Sequence, residues 1–387
     1  MEISIDEVLT RGVTNIIPSK EELKKELNSG RKLNVYLGID PTATKIHLGN
    51  AVPLRKLQSF MQLGHHVTLV IGDFTALIGD SSDKESERPV LTYEEIQENF
   101  KTYEKQASKI VDFSKVSIKF NGEWLKQLNF VDVIKLCQHF SVGDFVSREL
   151  IRKRLDSGKK VGLHEVLYPV MQGYDSYFMD TDIQIGGPDQ TFNMQAGRNL
   201  QKDLRNKQSF VVVTGYLEGT DGRKMSKSWG NAVWLEDDPS NMYGKIMSLN
   251  DNLLIQYFTN ATNYSQDQID EIDKKIKKGE NPMLFKKELA YAIVAELHSD
   301  KDAKEAQNVF EKTFQERKPE YNIQVQEGEN LADTIAPYTA MKSVSDAKRY
   351  INQKSVDVNG LTIKDPTYKV KTGDKIKIGE KVFIEIS

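Results

Sequence analysis

The 387-residue chain is 39% hydrophobic and 28% charged, with a formal net charge of −3. It has material for two or three cores and no apolar run long enough to cross a membrane. Its near-neutral charge excludes indiscriminate nucleic-acid binding while leaving room for a local basic face. The single cysteine, Cys137, excludes an internal disulfide, and no Cys/His cluster has zinc spacing. The acidic, mixed start "MEISIDEVLT" is neither a signal nor a transit peptide, so a cytoplasmic location is expected.

In the first two-thirds, short β-branched runs alternate with helical segments, as a parallel sheet with crossover helices requires. Strands are predicted at 33–39, 66–73, 116–121, 183–187 and 210–217. Several are nearly continuous apolar runs, suited to burial on both faces. Between them, "GNAVPLRKLQSFMQLG" repeats apolar residues at helical spacing and stops at Gly64, and "YEEIQENFKTYEKQASKI" is also helical. From 238 to 315 the chain reads as helix without a strand. The polar "RKPEYNIQVQEGEN" reads as a linker. The helix "SVSDAKRYINQK" and short strands around the turns "VNG" and "KTGD" complete the chain. The resulting division is an α/β nucleotide-binding-type domain (1–234), a helical domain (235–320) and a small α+β module (331–387).

Three stretches carry polar chemistry. After the strand at 33–39, His47-Leu48-Gly49-Asn50 opens a helix at the end of the sheet where open α/β folds bind ligands. The free N–H groups and dipole of that helix favour an anion, and Gly49 permits close backbone approach. A plain capped helix with a solvent-facing histidine would show the same residues. In "EGTDGRKMSKSWGN" (218–231), glycines flank Arg223, Lys224 and Lys227 in a segment without apolar periodicity. Such lysines can close over a polyphosphate; a solvated surface loop has the same composition. In "LYPVMQGYDSYF", Tyr168, Gln172 and Asp175 fall on one helical face, where burial is costly without partners. Tyr36 can reach the same cavity, and a tyrosine with an aspartate can donate to and accept from a phenol hydroxyl.

"HLGN" and "KMSKS" resemble the paired signatures of class I aminoacyl-tRNA synthetases. Residues 224–228 match the second at every position; 47–50 depart from the first only at Asn50, where many members have histidine. With "YLGIDPTA", "TALIGDSSDKESER", "YPVMQGYD" and "QIGGPDQTFN", the chain resembles the tyrosyl-tRNA synthetases over essentially its whole length. The resemblance implies a Rossmann-like parallel-sheet catalytic domain, a helical domain on the anticodon side and a C-terminal RNA-binding domain. That last domain is similar to one in the small ribosomal subunit protein S-four, and its lysines would meet RNA phosphates.

The implied activity is ligation of L-tyrosine to tRNA(Tyr) through tyrosyl-adenylate, with ATP as substrate, Mg²⁺ accompanying it and no zinc. The implied phenol contacts are Tyr36 and Asp175. Asp80, Tyr168 and Gln172 would hold the ammonium group, with Thr75 and Gln190 completing that pocket. Asp40, Gly49, Asn50, Gly187 and Asp189 would contact the adenosine, and Thr42 and His47 the terminal phosphate. Lys84, Arg88, Lys224 and Lys227 would supply positive charge from two mobile loops. Leu37 stands where some members have a polar residue near the ribose. A homodimer, joined around 125–150, is implied, and no membrane association. A tryptophan–tRNA ligase and a non-catalytic RNA-binding relative are the alternatives.

Overall fold

Largely apolar runs of four to six residues form the centre of the larger sheet in the computed structural model, which describes all residues except 1, 2, 43, 81–91, 227, 228, 316–320, 322, 327, 329, 340, 380 and 381. The chain divides into two compact units, Met1–Ala303 and Lys304–Ser387.

The first unit contains β1 (Val13–Ile17), β2 (Asn34–Ile39), β3 (His66–Ile71), β4 (Ser117–Phe120), β5 (Ile183–Gly186) and β6 (Phe210–Thr214), in the spatial order β1-β6-β5-β2-β3-β4. Every residue of β5 and β6 is buried, which is why their sequences do not alternate. All neighbouring strands run parallel except β1, which pairs antiparallel with β6. The chain passes from β2 to β3 on one side and reaches β5 on the other, so strand order reverses between β2 and β5. Ligands of open α/β sheets bind at such a switch point, beyond the carboxyl ends of the strands. β1 was not expected from sequence: its burial has no clean period and its register shifts between Val13 and Asn15. The strand carrying Tyr36 is therefore the second in the chain.

The principal helices of this unit begin with α1 (Leu48–Gln62), α2 (Tyr93–Ala107), α3 (Leu163–Phe178) and α4 (Thr191–Arg205). Helix α1 buries Leu48, Leu54, Leu57 and Phe60 completely, and it ends as predicted before Gly64, whose φ of +80° suits a residue without Cβ. Helices α3 and α4 approach so closely at Gly173 that a Cβ there would lie 3.1 Å from the Ala196 backbone. Helices α5 (Pro239–Met247), α6 (Leu254–Ala261), α7 (Gln266–Lys277) and α8 (Pro282–Leu297) follow. Among the described residues from Pro239 to Gln315 there is no strand. Helix α1 is tied to this region by Arg55, whose guanidinium meets Glu296 of α8 at 2.6 and 3.0 Å and the Ala261 carbonyl at 3.0 Å.

The second unit is a sheet of β7 (Ile323–Val325), β8 (Val356–Val358), β9 (Leu361–Thr362), β10 (Lys375–Ile378) and β11 (Val382–Ile386), ordered β7-β11-β10-β8-β9. With α9 (Val344–Asn352), it closes over Leu331, Ile335, Ala347, Ile351, Val356, Ile376 and Ile384. Asn359 and Gly360 both take positive φ, the backbone that a two-residue hairpin between β8 and β9 requires. Within the stretch read as a linker, residues 323–325 (Ile-Gln-Val) instead form an edge strand parallel to β11, three residues long with two of them exposed, too short to stand out from its polar surroundings.

Candidate active site

The switch point opens into a cavity of ≈ 320 Å³ lined by Tyr36, Asp40, Asp80, Gln172, Asp175 and Gln190 among others. A second, of ≈ 760 Å³, adds His47, Lys224 and Trp234. Asp40, Thr42, Gly49, Asn50, Tyr103, Asp189 and Tyr216 line both, so the two are parts of one cleft. Gly187 also lines the first. The predicted tyrosine and nucleotide residues that fall among the described positions therefore converge. Lys84, Arg88 and Lys227 lie outside the described residues.

The side of the cleft expected to hold the amino acid is a chain of hydrogen bonds. Trp124 Nε1 donates to Asp175 Oδ1 at 2.7 Å, and Asn121 Nδ2 donates to Asp175 Oδ2 at 3.1 Å. The same Asn121 amide donates to Thr75 Oγ1 at 3.0 Å, while the Thr75 hydroxyl donates to Asp40 Oδ1 at 2.7 Å. Tyr168 donates to Asp40 Oδ2 at 2.8 Å. Asp40 is thus bonded to two residues expected around the amino acid, although it was expected at the adenosine. Its position at the junction of both cavities accounts for this. Gly72 makes room for it, since a Cβ there would stand 2.0 Å from Asp40 Oδ1.

Burial pushes the Asp175 carboxyl up to about 7, against the two donors that pull it down. Burial, then the charge of Asp175, raises the Tyr36 phenol well above its ordinary value. Tyr36 is beside Gln184 in the β2–β5 register and donates to its Oε1 at 3.3 Å. Gln184 Nε2 is held by the Met194 carbonyl at 2.9 Å. Asp80, 5% exposed, accepts from Gln190 Nε2 at 2.7 Å and from Asn193 Nδ2 at 3.4 Å.

On the side of the cleft expected to hold the nucleotide, His47 is the N-cap of α1. Its Nδ1 accepts the Asn50 N–H at 3.2 Å, and Asn50 Oδ1 accepts the His47 N–H at 3.3 Å, a reciprocal capping box. The plain helix-cap reading of "HLGN" is thus realised, and the phosphate role expected of the same residues would have to be filled with the cap in place. His47 packs edge-on to Trp234 at 5.6 Å. Burial, with Lys224 nearby, lowers its pKa to about 4. At neutral pH the ring is uncharged with Nδ1 as acceptor, so it offers a neutral Nε2–H donor.

Sequence reasoning missed Asn121, Trp124, Tyr103, Gln184 and Asn193. Asn121 and Trp124 stand in "KFNGEWL" at the end of β4, and their position after a parallel strand was the available signal.

A parallel sheet with a capped helix at its switch point, followed by a basic loop, is the architecture of a class I synthetase catalytic unit. Residues 28–315 match the family described as tRNA synthetases class I (W and Y). A tyrosine–tRNA ligase of Carboxydothermus hydrogenoformans is 41% identical, covering 98% of this chain and 97% of that protein. One from Thermotoga maritima is 41% identical over 98% and 96%. Among solved structures, the tyrosyl-tRNA synthetase of Archaeoglobus fulgidus complexed with L-tyrosine shares the fold, with a TM-score of 0.63 at 22% identity over 78% of this chain and 98% of that one. A C-terminally truncated mitochondrial tyrosyl-tRNA synthetase of Aspergillus nidulans gives 0.66 at 19%, over 80% and 93%. The chain belongs to the tyrosyl-tRNA synthetase family.

Proposed function

We propose that this chain is a tyrosine–tRNA ligase. It activates L-tyrosine with ATP and transfers the tyrosyl group to the 3′-terminal adenosine of tRNA(Tyr). The observation that carries the reading is the buried Asp175 carboxylate close to Tyr36 in the cleft. A substrate phenol donates to Asp175 and accepts from Tyr36. Phenylalanine would leave both without that partner, which is discrimination enough to dispense with an editing site. Asp80 takes the substrate ammonium group, with Tyr168, Gln172, Thr75 and Gln190 around it. Asp40, Gly49, Asn50, Gly187 and Asp189 take the adenosine.

The substrate carboxylate attacks the α-phosphate of ATP. A carboxyl–phosphorus bond forms through oxygen, the bond to the β-phosphate breaks, and pyrophosphate leaves. No protein nucleophile is required, so catalysis is positioning and electrostatic stabilisation. His47 and Thr42 donate to the leaving phosphates, and Lys84, Arg88, Lys224 and Lys227 supply charge. Mg²⁺ enters on the ATP phosphates; the described residues contain no group of three His, Cys, Asp or Glu that would hold it independently. A ribose hydroxyl of the tRNA then displaces AMP from the adenylate.

The division of labour assigns chemistry to 1–234, the anticodon side of the tRNA to 235–320 and RNA phosphates to 331–387. A homodimer joined around 125–150 is supported by Phe130, Val131, Ile134 and Val142, which are 79, 58, 47 and 70% exposed. Among the described residues, no helix is long and apolar enough to cross a membrane.

Amino-acid-dependent ATP–pyrophosphate exchange across the twenty amino acids tests the proposal. Exchange with tyrosine is expected. Exchange with tryptophan alone would transfer the chain to the other branch of its class, and RNA binding without any exchange would make it a non-catalytic relative.

A further inference from the structure

We infer that Asn231 is the positioning residue of the basic loop, the side chain that fixes where Lys224 stands. The inference rests on the proposed role of Lys224 at the phosphates. Asn231 is 3% exposed, although it sits in a polar, glycine-flanked segment. Its Nδ2 donates to Asp221 Oδ1 at 2.8 Å and to the Lys224 carbonyl at 3.1 Å. Its Oδ1 accepts the Ser226 N–H at 2.9 Å, and its own carbonyl accepts the Thr220 N–H at 3.0 Å. One amide thereby braces the far side of the loop against three points on the near side, and the last two flank Met225 within the signature itself.

The surroundings are built around that amide. The Gly219 backbone passes so close that a Cβ would lie 2.2 Å from Asn231 Nδ2 and 2.3 Å from its Cγ. Gly222, at φ +80°, turns the chain back so that the Gly219 N–H donates to the Arg223 carbonyl at 2.7 Å. Arg223 donates from Nε to Asp221 Oδ2 at 2.8 Å and lies 4.0 Å over the Trp229 ring, which keeps its charge on the Asp221 side. Lys224 is left to line the cleft with His47 and Thr42.

Only an asparagine-type side chain serves here. Aspartate could still accept from Ser226, but it would lose both donated bonds and face the Asp221 carboxylate. Without the brace, the loop retains the backbone bridge between Glu218 and Lys224. Its outer residues would then sample positions in which the ammonium group misses the pyrophosphate. Charge that matters only in the transition state is sensitive to such misplacement, whereas ground-state tyrosine binding is not.

The test measures adenylate formation in single turnover, tyrosine KM in pyrophosphate exchange, and melting temperature, for full-length wild type and for Asn231→Ala, Asn231→Asp, Asp221→Ala and the Asn231→Ala/Asp221→Ala pair. We expect the Asn231 variants to form adenylate about 10-fold or more slowly, with tyrosine KM within about 2-fold of wild type and melting little changed. The pair should be no slower than Asn231→Ala alone, because the two residues act as one brace. Should the Asn231 variants fail to fold, Gly219→Ala, which displaces the amide without removing it, must give the same rate-selective loss. A normal rate, or losses shared by rate, KM and melting, would overturn the inference. A wild type inactive with every amino acid would instead remove the proposed function beneath it.

Discussion

Trp124 donates its indole N–H to Asp175 at 2.7 Å, from a position 51 residues away in the chain. The bond counters a burial penalty that otherwise favours the neutral acid. Replacing it by Trp124→Phe keeps the aromatic body and deletes the donor. The Asp175 carboxyl should then hold its proton to higher pH, and tyrosine KM should rise about 10-fold at neutral pH, since a hydrogen bond to a charged group contributes about 1.5–3 kcal/mol. Raising the pH to 9 should recover part of the loss. Steady-state exchange at both pH values checks this.

The wild-type pH profile carries a related signature. In the free protein the Asp175 carboxyl is pushed up to about 7, and under the proposed function its ionised form is the one that would accept the substrate phenol. Tyrosine kcat/KM should therefore fall as pH drops below 7. Stability moves the other way. The group binds its proton more tightly folded than unfolded, so its contribution is full below its ordinary value of 3.8 and is lost as pH rises to about 7. Urea unfolding should find Asp175→Ala more destabilising at pH 5.5 than at pH 8, by on the order of 2 kcal/mol.

Gly72 holds space for the shared carboxylate of the cleft. In Gly72→Ala, the new methyl would meet Asp40 Oδ1 at 2.0 Å and Thr75 Oγ1 at 2.3 Å. Asp40 must move, and Tyr168 loses its acceptor. Because Asp40 borders both cavities, KM should worsen for tyrosine and for ATP together. A change confined to one substrate would contradict the junction role.

Glu296 neutralises Arg55, which is 8% exposed. Glu296→Ala leaves that guanidinium with the Ala261 carbonyl and Asn263 but no counter-charge. Removing one partner of a buried pair costs about 3–5 kcal/mol, and Glu296 is less buried than Arg55, so the lower figure is expected in chemical unfolding.

What could be read from the sequence was whatever is local. The cap at His47, the end of α1 at Gly64 and the helical face of Tyr168, Gln172 and Asp175 depend on neighbours within two turns, and their spacing records them. The partners of Asp175 come from the end of β4, and no periodicity links residue 121 or 124 to residue 175. The edge strands β1 and β7 escaped notice for a different reason. Each is half-solvated and pairs on one side only, so neither needs the apolar pattern that betrays a central strand. The charge state of His47 was also beyond reach, because it follows from burial beneath Trp234 and from Lys224, nearly two hundred residues later.

Strand β2 bears Tyr36 within its length and delivers Asp40 one residue past its end. At about 3.3 Å per residue, the rise from Tyr36 to Asp40 is roughly 13 Å, enough to run the length of an extended tyrosine and reach the group joined to its carboxylate. Under the proposed function the strand is in effect a gauge laid alongside the substrate, with one mark at the phenol and another where amino acid meets nucleotide. Inserting or deleting a residue between the marks would turn Tyr36 to the opposite face as well as change the distance. On that reading, a change of amino-acid specificity would come from exchanging the side chains at the marks, while the spacing of the strand itself stays fixed.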